Sequence, residues 1–150
     1  MKKLSCVLLV ASFGLTSFPT QAADDVADQF ASQFNVARTL VAQYEQEAKK
    51  LNKNATLSAE AGRAFYIKKV FVDGEDLSCS TCHTDDPTKE GKHKDTHNVT
   101  KPVAISANPE AFSDVKKTEK AFSKHCRELY KKDCSAQEKG DFLTYLLSVK

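Results

Sequence analysis

The sequence predicts an all-α protein. Three observations lead there. Apolar residues recur at three- and four-residue spacing in separate stretches of the chain. Residues that favour helix starts stand before those stretches. No segment alternates apolar and polar side chains over the length of a strand.

Val26, Phe30, Phe34, Ala37, Val41, Tyr44, Ala48 and Leu51 form the first periodic set. They predict one amphipathic helix, or two in tandem, from about Asp24 to Leu51, closed by Asn52-Lys53-Asn54. Ser58 is placed to cap a second helix that carries Gly62, Phe65, Tyr66 and Lys69. Gly62 lowers helix propensity; it marks either a close helix crossing or a tolerated glycine. Asp73-Gly74-Glu75-Asp76 reads as a turn. From Thr84 to about Lys101 the chain is almost devoid of apolar residues, and a loop of that length in a small domain is functional or wraps something. Pro102-Val103-Ala104-Ile105 is an apolar island suited to a flat hydrophobic surface. Asn108-Pro109-Glu110 looks like a helix start, leading into a long helix from Ser113 to about Tyr130. There Phe122, His125 and Leu129 share a stripe. Lys116, Lys117, Lys120, Lys124 and Arg127 form a basic run, read first as a solvated face and second as a docking patch for an acidic redox partner. Ser135-Ala136-Gln137-Glu138 is a capping box that opens a last helix with Phe142, Leu143, Tyr145, Leu146 and Val149.

The chain has 150 residues, the size of one domain. Its start reads as an export signal: Lys2 and Lys3, an apolar run from Leu4 to Phe18, then small residues that place cleavage near Ala22. The organisation is thus a signal peptide over 1–22, an N-terminal helical extension over 23–57 and the main domain over 58–150, with a periplasmic destination. Without the leader, 22 basic residues become 20, against 20 acidic ones. No basic excess remains to attract nucleic acid. Cys6 leaves too, so an exported chain keeps Cys79, Cys82, Cys126 and Cys134, which in an oxidising compartment points to disulfides or cofactor attachment. Met1 is the only methionine, so the mature chain has none.

Cys79-Ser80-Thr81-Cys82-His83 is C-x-x-C-H, the attachment sequence of haem c. Two thiols add to the vinyl groups on one porphyrin edge, and the next residue brings an imidazole under the iron. A zinc site would need two more ligands, and the Cys126–Cys134 spacing does not suit one. A thiol-redox site would sit in an α/β context that is missing.

With no methionine available, the iron's sixth position falls to a histidine, to a weak ligand or to nothing. His93 and His97 follow in the polar loop. His125, on an apolar helical stripe far along the chain, is favoured. Cys126 and Cys134 are expected to pair. Eight residues of helix would hold them about 12 Å apart, beyond disulfide reach. The chain must therefore reverse at Lys131-Lys132-Asp133, and the bridge would steer His125.

Taken together, these residues resemble the SHP-type cytochromes c, a small bacterial family of monohaem proteins. The matching stretches are Leu40-Val41-Ala42-Gln43-Tyr44-Glu45, Glu60-Ala61-Gly62-Arg63-Ala64-Phe65, Ser78 with the haem motif, Lys101-Pro102-Val103-Ala104, Asn108 to Phe112, Lys124-His125-Cys126, Lys132-Asp133-Cys134 and Glu138 to Leu143. The resemblance implies a class I cytochrome c-like haem domain, here with an extra N-terminal helix, in which an N-terminal helix (Ser58 to Lys69) crosses a C-terminal one (Ser135 to Val149). It implies a disulfide beside the distal ligand. In the family that ligand is an Asn just before the first paired cysteine; it can detach, leaving a high-spin haem open to oxygen or nitric oxide. Here the matching residue is His125, so the expectation is a low-spin bis-His haem of low potential. The function expected is one-electron transfer with another cytochrome, multihaem or membrane-bound. The alternative is binding of small diatomic ligands, or small-molecule reduction, at a site opened when His125 detaches. No acid–base pair marks the chain as an enzyme, and it reads as an electron carrier.

Overall fold

The computed structural model describes residues 21–150, with side chains for Asp28 and from Ala31 onward. The expected leader lies, apart from its last two residues, outside the described residues. Helix α1 (Gln21–Leu51) is one continuous helix, not two. Its inner face from the middle onward is Ala37, Leu40, Tyr44 and Ala48, each at most 5% exposed. These residues recur at three- and four-residue intervals, the spacing of a single helical stripe. The segment set apart as an extension therefore shares its core with the domain that follows.

Helix α2 (Ala59–Ile67) begins where Ser58 Oγ accepts from the Ala61 amide at 3.2 Å. It stops short of Lys69 because Lys68 turns extended and donates its N–H to the Phe65 carbonyl. The Ser58 amide donates to Asp141 Oδ1 at 2.7 Å, which fastens the start of α2 to the last helix, α5 (Ala136–Ser148). Gly62 is the crossing point. A β-carbon there would stand 1.9 Å from the Asp141 carbonyl oxygen and 2.8 Å from Tyr145 Cβ. The close-crossing explanation of this glycine holds.

Two small antiparallel ladders depart from the expected strand-free chain. Strand β1 (Val70–Val72) pairs with β2 (Glu75–Leu77) across Asp73-Gly74. Further on, β3 (Gly91–Lys92) pairs with β4 (Val99–Thr100) inside the long polar loop. Strands of two or three residues are too short to show an alternating pattern. Between the ladders lies the short helix α3 (Cys79–His83).

The expected helix start at Asn108 is a set of turns instead. Phe112 takes φ 59°, which no helix tolerates, and α4 (Val115–Tyr130) begins only after Asp114, whose carboxylate accepts from the Lys117 amide. Along α4 the buried stripe is Thr118, Phe122 and Cys126; His125 flanks it on the exposed side. At α5 the capping box forms as expected, Ser135 Oγ accepting from the Glu138 amide and Glu138 Oε2 accepting from the Ser135 amide.

Helices α1 and α2 both pack on α5. Leu40, Tyr44, Tyr66, Phe122, Phe142, Leu143, Tyr145 and Leu146 make their shared core. Phe142 is its hub, meeting Phe122 edge-on at 5.5 Å and Phe65 edge-on at 6.3 Å, the geometry that the ring quadrupole favours. A polar tie joins α4 to this core. Tyr44 donates to Glu119 Oε1 at 2.5 Å, and Lys139 donates to Glu119 Oε2 at 2.7 Å.

Candidate haem site

The C-x-x-C-H motif forms the single helical turn α3, entered through Ser78, whose amide donates to the Thr81 hydroxyl at 2.9 Å. Cys79 and Cys82 are free thiols, both half-buried, one helical turn apart. Cys79 packs against the apolar core, and that burial pushes its thiol pKa up to about 11.

So short a helix leaves its last carbonyls unsatisfied by its own backbone, and two distant hydroxyls supply the donors. Thr100 Oγ1 donates to the Cys82 carbonyl at 2.8 Å. Tyr66 Oη, from α2, donates to the carbonyls of His83 at 3.1 Å and Thr84 at 2.7 Å. The β3–β4 ladder can approach this closely only because residue 91 is glycine: a β-carbon there would meet the Cys82 carbonyl oxygen at 2.0 Å. The polar loop therefore braces the back of the motif. The apolar island follows it, with Ala104 and Ile105 fully buried and the amides of Val103 and Ala104 donating to the Pro87 carbonyl.

His83 ends α3. Its Nδ1 is buried without a hydrogen-bond partner. Burial lowers its pKa, the charge of His125 lowers it further, and only the Lys101 backbone pulls the other way. A neutral imidazole with a free lone pair is the form that binds metal. Of the other histidines it is His125, on α4, whose charge is felt at His83. His93 and His97 are placed elsewhere, in the β3–β4 turn. His93 Nδ1 accepts from the Asp95 and Thr96 amides, and His97 sits at φ 57° with its amide on the His93 carbonyl.

Next to His125, Cys126 and Cys134 are joined by a disulfide with their Cα atoms 5.6 Å apart. The reversal that permits it is the left-handed Lys131, which caps α4. Arg127 pins the same turn by donating Nε and Nη2 to the two oxygens of Asp133, each at 2.8 Å. His125 itself is 56% exposed in its side chain, and its Nδ1 stands 3.3 Å from Oε2 of Glu128.

The donor set fits a covalent haem. Two unpaired thiols, one turn apart, stand beside a buried orphan imidazole, while the other two cysteines among the described residues are committed to each other. Cys79, Cys82 and His83 could hold the group from one side and His125 could complete the iron's coordination from the other. Sequence reasoning passed over Tyr66 and Thr100 as site residues. Both act through backbone carbonyls, an interaction that leaves no motif. It also passed over Tyr130, half-buried and stacked on Phe65 at 5.3 Å.

Comparison with known proteins gives concordant results. The family model described as a domain of unknown function, DUF1924, matches residues 52–146. Cytochrome c'' of Methylophilus methylotrophus is 32% identical over 144 residues, covering 93% of this chain and 92% of the relative. The cytochrome c-type protein SHP of Cereibacter sphaeroides is 34% identical over 108 residues, covering 71% of this chain and 79% of the relative. The crystal structure of oxidised cytochrome c'' superimposes with a TM-score of 0.73 at 33% identity, over 78% of this chain and 97% of the other. Oxidised SHP, described as an oxygen-binding cytochrome c, does so with a TM-score of 0.65 at 33% identity, over 73% and 94%. A solution structure of the Methylophilus cytochrome c'' concerned with haem-ligand detachment gives 0.68 at 34% identity, over 75% and 92%.

Proposed function

This chain belongs to the SHP-type family of monohaem c-type cytochromes and carries one covalent haem c, and from that premise we propose that it is an exported one-electron carrier with two histidines on the iron. Cys79 and Cys82 form the thioether bonds, His83 is the proximal ligand and His125 the distal one. The observation that carries this reading is the pair of free thiols one turn apart beside the buried His83, with the disulfide Cys126–Cys134 formed next to His125, in a chain whose one methionine is Met1. When bound, the haem supplies a one-electron iron couple whose potential follows from axial ligands and burial. The chain's own contribution is positional. Tyr66 and Thr100 hold the carbonyls that end α3, and the disulfide with the Arg127–Asp133 pair holds the end of α4 that carries His125.

Export rests on the leader pattern, with cleavage near Ala22, and the Cys126–Cys134 bridge accords with an oxidising compartment such as the periplasm. Among the described residues no helix is long and apolar enough to cross a membrane. The redox partner is another cytochrome, multihaem or membrane-bound.

A second reading has its own support. SHP is described as oxygen-binding and cytochrome c'' has been examined for ligand detachment, while His125 stands on an exposed flank of α4. In that reading His125 would be the residue that yields its position when the haem is reduced, and the site would bind a small diatomic molecule. Optical spectra decide. Low-spin bands in both oxidation states, unchanged under carbon monoxide, support transfer; a high-spin reduced form that binds carbon monoxide supports ligand binding. His125→Ala should convert the oxidised protein to high spin, and an unaltered low-spin spectrum would remove His125 from the coordination sphere.

A further inference from the structure

His125 and Glu128 lie three residues apart on α4, so their side chains share one face of the helix. Nδ1 of the imidazole is 3.3 Å from Oε2 of the carboxylate, and the two side chains are equally exposed, at 56%. A carboxylate has no proton to offer, so a hydrogen bond across this gap would place the N–H on Nδ1. That leaves Nε2 as the lone-pair nitrogen. The proximal imidazole is placed differently: it is buried, and the group acting on it is the Lys101 backbone and not a carboxylate.

Resting on the reading of His125 as an iron ligand, we propose that Glu128 is the positioning residue that sets the tautomer and donor strength of that ligand, and thereby whether it stays on the iron when the haem is reduced. A carboxylate behind a metal-bound imidazole fixes the ring's orientation and raises its basicity. Glu128 thus favours retention and the electron-carrier role; without it, the same fold leans toward an open site. Lys124 competes for the same carboxylate, with Nζ 4.0 Å from Oε1, and so opposes this effect. The two residues therefore make opposite predictions although they are neighbours on one exposed helix face.

The test uses the full haem-loaded protein and carbon monoxide as probe. Glu128→Ala should raise the reduced protein's affinity for carbon monoxide about tenfold or more, in line with the 10- to 100-fold effects of removing outer-shell partners. Glu128→Gln should have a smaller effect in the same direction, and Lys124→Ala the opposite one. The midpoint potential should rise in Glu128→Ala and fall in Lys124→Ala. An affinity and potential within twofold and within error of the parent for Glu128→Ala, in a protein where His125→Ala does become high-spin, overturns the proposal alone. A His125→Ala protein that remains low-spin overturns both the ligand assignment and the proposal. A Lys124→Ala shift in the same direction as Glu128→Ala also counts against it, because a purely structural disturbance of α4 would do that.

Discussion

Gly62→Ala tests the link between the helix crossing and the site. The added methyl carbon would lie 1.9 Å from the Asp141 carbonyl oxygen and 2.5 Å from its carbonyl carbon. Both atoms are backbone of α5, so no side-chain rotation relieves the clash. Bringing that contact to the edge of what is tolerated requires α2 and α5 to separate by about 1 Å. The cost falls on a core that contains Tyr66, Leu143 and Leu146, all fully buried, and on the Ser58–Asp141 hydrogen bond beside the crossing. Overpacking of a close-packed core costs roughly 1–3 kcal/mol, and a clash against fixed backbone belongs at or above the upper end. The alanine's higher helix propensity returns only about 1 kcal/mol. A net loss of about 2 kcal/mol or more is expected, read as a lower denaturant midpoint in equilibrium unfolding of the haem-loaded protein. Because Tyr66 rides on α2 and donates to the His83 and Thr84 carbonyls, the variant should also broaden the haem's optical bands. A midpoint equal to or above the parent's, with an unchanged spectrum, would show that the crossing is looser than described and refute the reasoning.

Three further outcomes follow from the same structure. Replacing Cys126 and Cys134 together by alanine should cost about 2–3 kcal/mol, the loop-closure value for an eight-residue separation, and should weaken distal ligation measurably in the oxidised spectrum; a stability change under 1 kcal/mol would indicate that the Arg127–Asp133 pair holds the turn unaided. Tyr66→Phe removes the hydroxyl that donates to the part-buried His83 and Thr84 carbonyls, so a loss of about 1–2 kcal/mol is expected in thermal or chemical unfolding, and an unchanged midpoint would argue against that anchoring role. For Glu119, burial raises the carboxyl's pKa, but hydrogen bonds from Lys139 and Tyr44 overcome it and hold the group below the ordinary glutamate range. A group depressed in the folded state stabilises at pH above its unfolded pKa and loses that contribution as pH falls through its folded pKa. Parent and Glu119→Gln should therefore differ in stability at neutral pH and converge in acid below the glutamate range. Parallel pH profiles would deny the carboxylate this role.

The proposed attachment residues Cys79, Cys82 and His83 were legible in the chain because the motif depends on adjacent positions. Two thiols and an imidazole within five residues have the spacing of a haem c attachment sequence. The helices were legible where the apolar period ran long, and the capping residues Ser58 and Ser135 marked their starts. Boundaries failed where a local backbone choice intervened, as at Phe112, whose left-handed conformation delayed α4 to Val115. The two ladders escaped notice because pairs of two or three residues carry no period.

By itself the sequence determined the attachment motif, the lack of any methionine ligand beyond Met1, the helical class and the need for a chain reversal between Cys126 and Cys134. Tertiary structure alone decided the rest. It made Gly62 a contact point and not a tolerated glycine, and brought the hydroxyls of Tyr66 and Thr100 to the carbonyls that end α3. It joined Cys126 to Cys134 beside His125 and placed His93 and His97 in the β3–β4 turn. The reason is the same in each case. A motif is encoded along the backbone, whereas a hydrogen bond to a carbonyl, a clash with a backbone oxygen or the approach of two cysteines across a chain reversal depends on distances that only the packing of α2, α4 and α5 supplies.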